Sequence, residues 1–166
     1  KISDNFKQVF SAETAYQMTS ILEGVVQRGT GRGLKNLNLD LAGKTGTTND
    51  NTDAWFIGFT SKLVIGVYVG MDEPQSLGKY ETGAKTAMPI FKDFVKNAIQ
   101  KKDARPFKVP KNITMMVIDP INGEKANFGS KETIIEAYKQ KNSNSENYQF
   151  REINDRLRNN NLLKFY

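Results

Sequence analysis

Leu37-Asn38-Leu39-Asp40-Leu41-Ala42-Gly43-Lys44-Thr45-Gly46-Thr47-Thr48 is the stretch on which the fold turns. Its three leucines alternate with polar residues, the period of a half-buried strand, and this predicts a strand over 37–48. The small pair Ala42 and Gly43 follows, and the far end then presents Lys44, Thr45, Gly46, Thr47 and Thr48 in succession. An ammonium, hydroxyls and a glycine-opened backbone on one strand edge can grip a carboxylate and polarise a carbonyl.

Working outward, a polar turn (Asn49-Asp50-Asn51-Thr52-Asp53) precedes two segments rich in aromatic and β-branched residues, Ala54–Thr60 and Leu63–Gly70. Thr60-Ser61-Lys62 joins them as a short hairpin loop, so three consecutive strands form an antiparallel meander. Both faces of the middle pair are apolar, which predicts helices on both sides of the sheet. Asp50 and Asp53 suit the shaping of the turn better than chemistry. Trp55 reads either as a core residue or as a wall of a cleft.

A helix is expected over 11–28, with Ser11 as its cap, Glu13 in its first turn and an apolar stripe of Ala15, Met18, Leu22 and Val25. Gly29, Gly31 and Gly33 end it in a turn. They follow a helix rather than a strand and lack a Gly-Lys-Ser/Thr ending, which argues against a phosphate loop. A second helix is expected from about Thr86 to Ala98, with Pro89 in its first turn and Ile90, Phe91, Phe94, Val95, Ala98 and Ile99 facing the sheet.

The 166 residues contain no cysteine and no histidine. Disulfides, thiolate chemistry and a Ser-His-Asp triad are thereby excluded, and proton transfer falls to Lys, Tyr, Asp or Glu. No cofactor and no metal site are expected. The net charge of +6 gathers in Lys96, Lys101, Lys102, Arg105, Lys108 and Lys111. These suit a solvated basic linker, or attraction to an anionic surface. Aromatic residues do not interleave with them, so no nucleic acid partner is expected. No stretch is apolar for long enough to span a membrane, and no targeting segment is evident.

Past residue 100 the composition shifts. Arg105–Pro110 reads as an extended linker, Thr114–Asp119 as a short strand turned by Pro120-Ile121-Asn122-Gly123, and Ser130 as the cap of a short helix through Tyr138. Asn142–Asn147 is a polar spacer, and Phe150–Tyr166 has a ragged helical pattern. The expected organisation is 1–100, then 101–139 as linker and small tail, then 140–166.

Several blocks, in order, carry a resemblance. They are Val9-Phe10-Ser11, Gly29-Thr30-Gly31, Ala42–Thr48, Asp53–Thr60, Val67–Asp72, and Leu77-Gly78 with Thr82-Gly83-Ala84 and Ala87–Phe91. Together they resemble the last part of the transpeptidase domain of class A penicillin-binding proteins, whose third motif is Lys-Thr-Gly. The resemblance implies the C-terminal lobe of a serine β-lactamase/D,D-peptidase-like fold, an α/β (α+β) arrangement with an antiparallel sheet flanked by helices. The family's nucleophile lies in Ser-x-x-Lys well before Lys-Thr-Gly, whereas the one such spacing here, Ser76-Leu77-Gly78-Lys79, comes after it. Ser3-Asp4-Asn5 spells the family's second motif too close to Lys44 to serve as it.

The resemblance implies a peptidoglycan D,D-transpeptidase that acts on D-Ala-D-Ala stem peptides, binds β-lactams, and relies on the preceding part of its domain for the nucleophile. Lys44 and Thr47 are the catalytic candidates, and Lys44, Thr45, Gly46, Thr47 and Thr48 the substrate-binding ones. The parent is expected at the periplasmic face of the bacterial inner membrane, held by an N-terminal anchor outside this chain and accompanied by a glycosyltransferase domain. The alternatives are a non-catalytic interaction module and a β-lactamase-related hydrolase.

Overall fold

In the computed structural model, which describes residues 7–100 and 104–140, the leucine alternation ends in a strand shorter than its period predicts. The first strand, β1, is Ala42–Thr47. Ahead of it Arg32–Leu37 winds as a 3₁₀ turn, and Asn38 takes the left-handed conformation (φ 52°, ψ 44°), which interrupts extended pairing. The leucines keep their inward role without being strand residues: Leu41 is buried, and Leu37 and Leu39 pack against the core. Alternation here reports burial rather than backbone conformation.

Two compact units emerge. The larger lies within Thr19–Lys108, and the other joins the described residues up to Met18 with those from Val109 to Gln140. One division between the units falls after Lys108, and a second after Met18, inside helix α1 (Ala12–Gln27).

In the larger unit, β1, β2 (Ala54–Phe59) and β3 (Val64–Val69) form the antiparallel meander in the order β1-β2-β3. The register pairs Lys44 with Ile57, Gly46 with Trp55, and Trp55 with Tyr68. Thr60 closes the β2–β3 loop, its N–H donating to the Leu63 carbonyl at 2.9 Å while its hydroxyl accepts from Lys62 and Leu63 N–H. One sheet face is buried through Ala54 and Phe56, under helix α2 (Met88–Ala98). The opposite face departs from expectation. Among the described residues Trp55, Ile57, Val64 and Tyr68 remain exposed there, and only its Phe59 end is covered, by the Phe107 ring edge-on at 5.6 Å.

Phe91 anchors α2. Its ring lies 4.7 Å from Phe56, and a Cβ at Gly58 would meet Phe91 Cζ at 2.6 Å, so only glycine admits this contact. Ala87, Phe91 and Val95 form a buried stripe at spacing four, joined by Val26, Leu34, Leu41, Ala54 and Phe56. The expected stripe was wider, but Ile90 and Phe94 are about half exposed. A π turn over Gly83–Ala87 precedes α2, one turn earlier than the predicted start, and Pro89 is accommodated in the first turn.

Ser11 caps α1 as expected, its Oγ accepting from Thr14 N–H at 3.2 Å. The stripe is corrected: Tyr16, Ser20, Gly24 and Val26 are the inward residues, while Ala15 and Met18 are exposed. Burial here falls on a tyrosine, a serine and a glycine as well as a valine, which an apolarity count overlooks.

In the other unit, β4 (Ile113–Ile118) pairs with β5 (Ile134–Lys139). The expected helix from Ser130 to Tyr138 is therefore a strand. Ile134 and Ile135 are β-branched, and β4 offers a ladder that a short helix could not replace. Gln17 Nε2 donates to the Ala137 carbonyl and Asn112 Nδ2 to Glu13 Oε1, tying the first turns of α1 to this hairpin. Gly123 makes the sharp turn at φ 73°. Ser3-Asp4-Asn5, Lys101, Lys102 and everything predicted beyond Gln140 lie outside the described residues. Among the described residues no helix is long and apolar enough to cross a membrane.

Glu23, on α1 within the larger unit, is pushed up to about 7, first by burial and then by the charge of Asp40, whose own carboxyl is raised by burial. The folded chain therefore holds this proton more tightly than the unfolded one, and stability falls as pH rises from about 4.5 to about 7. Glu23→Gln should flatten that fall and stabilise the protein above pH 7 by on the order of 1 kcal/mol, a modest figure because the group is part exposed. Melting temperatures across pH 4–8 check this, and an unaltered slope would contradict it. Phe91→Ala should cost about 3–5 kcal/mol in denaturant unfolding through the cavity left against Phe56, whereas an unmoved midpoint would deny Phe91 its anchoring place.

Candidate active site

β1 pairs only with β2 among the described strands, so its other edge is open. Lys44 and Thr45 point to opposite faces of the pleat, yet Lys44 Nζ donates to the Thr45 carbonyl at 2.8 Å and lies 3.5 Å from Thr45 Oγ1. An ammonium that reaches both must curl round the open edge, the side away from β2. Thr45 Oγ1 in turn hydrogen-bonds Thr30 Oγ1 at 3.0 Å, which brings the glycine turn after α1 to the same edge. A cation and adjoining hydroxyls along an unpaired strand edge are groups able to hydrogen-bond a carboxylate or an extended backbone.

The strand's far end is held from two directions. Thr47 Oγ1 accepts from the Gly83 N–H at 3.0 Å, joining β1 to the π turn before α2. Thr48 faces its own turn instead. Its Oγ1 accepts from Asp53 N–H at 2.7 Å and lies 2.7 Å from Thr52 Oγ1, while its N–H donates to the Asp53 carbonyl. Asp50 and Asn51 both take the left-handed conformation (φ 61° and 54°), as short polar side chains tolerate. Asn51 then fastens the turn to the loop beyond β3: its Nδ2 donates to the Gly78 and Lys79 carbonyls, and its own carbonyl accepts from Leu77 N–H. Ser76 lies in that loop, its Oγ accepting from Gly78 N–H.

On the open sheet face Trp55 stands beside Gly46, with its Cβ 3.1 Å from where a Gly46 Cβ would sit, and its ring is 4.6 Å from that of Tyr68. Tyr68 Oη donates to Asp53 Oδ1 at 2.8 Å, and this bond holds the phenol above its usual value. Asp53 is thus a structural acceptor. Below the π turn, Glu81 accepts from Thr86 Oγ1 at 2.6 Å and pairs with Lys85 at 3.3 Å, and these partners, Thr86 first, hold its carboxyl below the usual range.

The structure therefore gathers Lys44, Thr45 and Thr47 at the open edge and engages the Thr48 hydroxyl in the turn. Reading the sequence for chemistry passes over Thr30, Asn51 and Gly83. Thr30 and Gly83 lie far from Lys44 in sequence, and the only signal for them is their place in the blocks that carry the resemblance, whereas Asn51 sits in the polar turn just after the strand and reads there as a turn former.

The model of the penicillin binding protein transpeptidase domain matches residues 3–96. Over 127 residues the chain is 48% identical to penicillin-binding protein 1A of Rickettsia conorii, covering 76% of this chain and 16% of that protein. Over 134 residues it is 42% identical to penicillin-binding protein 1A of Pseudomonas aeruginosa, covering 80% and 16%. The crystal structure of penicillin-binding protein 1A from Haemophilus influenzae superposes with a TM-score of 0.70 at 32% identity, over 84% of this chain and 22% of that one. The chain spans about a sixth of the length of these curated relatives, 16% in both cases. With its antiparallel meander, its closing helix and its Lys-Thr-Gly edge strand, the chain belongs to the penicillin-binding protein transpeptidase family, of the 1A type.

Proposed function

We propose that this chain supplies the carboxylate-binding strand and one oxyanion donor of a peptidoglycan D,D-transpeptidase, residues 1–100 being the C-terminal portion of that domain and 101–139 its tail. The observation that carries this reading is the ammonium of Lys44, drawn round the open edge of β1 beside Thr45. In the reaction a serine attacks the carbonyl of a D-Ala-D-Ala stem peptide, D-alanine leaves, and the acyl group passes to an amine on a neighbouring strand. β-Lactams acylate the same serine.

Each residue has a part in this. Lys44 places fixed positive charge near the terminal carboxylate in a partly dry cleft, where attraction is stronger than in water. Thr45 and Thr47 hydroxyls donate to that carboxylate. Gly46 leaves the substrate backbone room to lie along β1 as an added strand. The Thr47 N–H is one of two oxyanion donors, the other belonging to the nucleophilic serine, and such a donor is worth about 10²–10³ in rate. Thr48 fixes the end of the strand. The parent works at the periplasmic face of the membrane.

No Ser-x-x-Lys precedes Lys44 in these residues, so the chain alone forms no acyl-enzyme. A fluorescent penicillin should leave the isolated chain unlabelled and label the full-length parent, and covalent labelling of the isolated 166 residues would refute the assignment. Lys44→Ala in the parent should slow acylation by about 10²-fold or more, the scale of a lost charge-assisted contact together with oxyanion geometry. Stopped-flow acylation rates measure it, and a rate equal to the wild type would remove Lys44 from the mechanism.

A further inference from the structure

Gly83 lies outside Lys-Thr-Gly and carries no side chain, yet the structure packs it against the strand at its most sensitive point. Its N–H donates to Thr47 Oγ1 at 3.0 Å. It is buried, and a Cβ built on it would collide with the carbonyl oxygens of both Gly46 and Trp55, and would stand 3.1 Å from the Gly46 nitrogen. Gly46 and Trp55 are cross-strand partners, so Gly83 rests on the β1–β2 pair itself.

A threonine hydroxyl has one proton and two lone pairs. In solution it turns freely between donating and accepting, and a site built to bind an anion gains nothing from the accepting orientation. A backbone N–H pointed at the oxygen occupies a lone pair, so the hydroxyl proton must turn elsewhere. The donor here is rigidly mounted. The π turn that carries it continues directly into α2, and the Phe91–Phe56 contact seats that helix on the sheet. Glu81 braces the turn through Thr86 and Lys85.

We infer that Gly83 is a positioning residue: its backbone N–H commits the Thr47 hydroxyl to donate toward the substrate carboxylate, and its missing side chain lets the turn come close enough to do so. This rests on the assignment of β1 as the carboxylate-binding strand. Gly83 touches neither the carboxylate nor the reacting carbonyl, and acts only through Thr47.

The experiment uses the full-length parent and compares wild type, Gly83→Ala, Thr47→Val and the double variant in acylation by benzylpenicillin and by its methyl ester. Gly83→Ala should slow acylation by benzylpenicillin about 10- to 100-fold more than it slows acylation by the ester, the difference expected for one hydrogen bond to a charged group, since the ester has no carboxylate for the Thr47 hydroxyl to meet. The double variant should be no slower than Thr47→Val, because the two residues act as one unit. Equal losses with acid and ester, or losses that add in the double variant, would overturn the inference and leave a merely structural glycine.

Amide hydrogen exchange keeps the test open if Gly83→Ala does not fold. The Gly83 amide should be protected in wild type and Thr47→Ser and should exchange faster in Thr47→Val; protection unchanged in Thr47→Val would overturn the inference. Failure of the underlying assignment looks different, for then wild-type parent shows no preference for acid over ester and Lys44→Ala acylates normally.

Discussion

The contact of Phe91 with Phe56, admitted by the bare backbone of Gly58, is the constraint from which the larger unit follows. It sets where α2 rests on the sheet. That position fixes the π turn at the head of the helix, and the turn brings Gly83 onto the Gly46–Trp55 pair. A packing decision in the core thus governs the alignment of a hydroxyl at the strand edge. Interiors packed to crystal density transmit such decisions because they cannot absorb a displaced ring by loosening.

The strand edge itself is an arrangement of opposed demands. An unpaired edge invites association with any extended chain, and proteins ordinarily blunt it. Here a lysine guards it, its ammonium lying over the strand's own carbonyl and beside a hydroxyl. The same charge that discourages indiscriminate pairing favours a partner ending in a carboxylate. Thr30 and the turn closed by Thr48, Asn51 and Asp53 brace the strand at either end, so the polar groups are held in place before anything binds. The uncovered face beside it, with Trp55, Ile57 and Tyr68, has a different character, since it is broad and apolar where the edge is narrow and polar.

Much of this was legible beforehand. The meander, its hairpin loop and the exposed polar end of β1 follow from local chemistry: β-branched and aromatic runs, a two-period alternation and turn-forming Asn and Asp. The helix α1 and its Ser11 cap follow likewise. Failures cluster where tertiary contacts overrule the local pattern. Ile134–Lys139 could have been helix or strand, and the waiting ladder of β4 decided it. The leucines before Ala42 pack inward from a 3₁₀ turn and a left-handed Asn38. In α1 the buried side is marked by Tyr16, Ser20 and Gly24, none of which an apolar period singles out.

By itself, then, the sequence determined that an ammonium, hydroxyls and a bare glycine gather at one strand end, Lys44–Thr48, since side-chain alternation and motif spacing are properties of neighbours along the chain. It also showed that these 166 residues have no histidine or cysteine to contribute. Only the tertiary structure decided how that strand end is aimed. The curl of Lys44 round the open edge, the meeting of Thr30 with Thr45, and the Gly83 amide against Thr47 join residues 1, 15 and 36 positions apart. The last two depend on loops whose course is set by core packing, and no period in the sequence records where a loop returns.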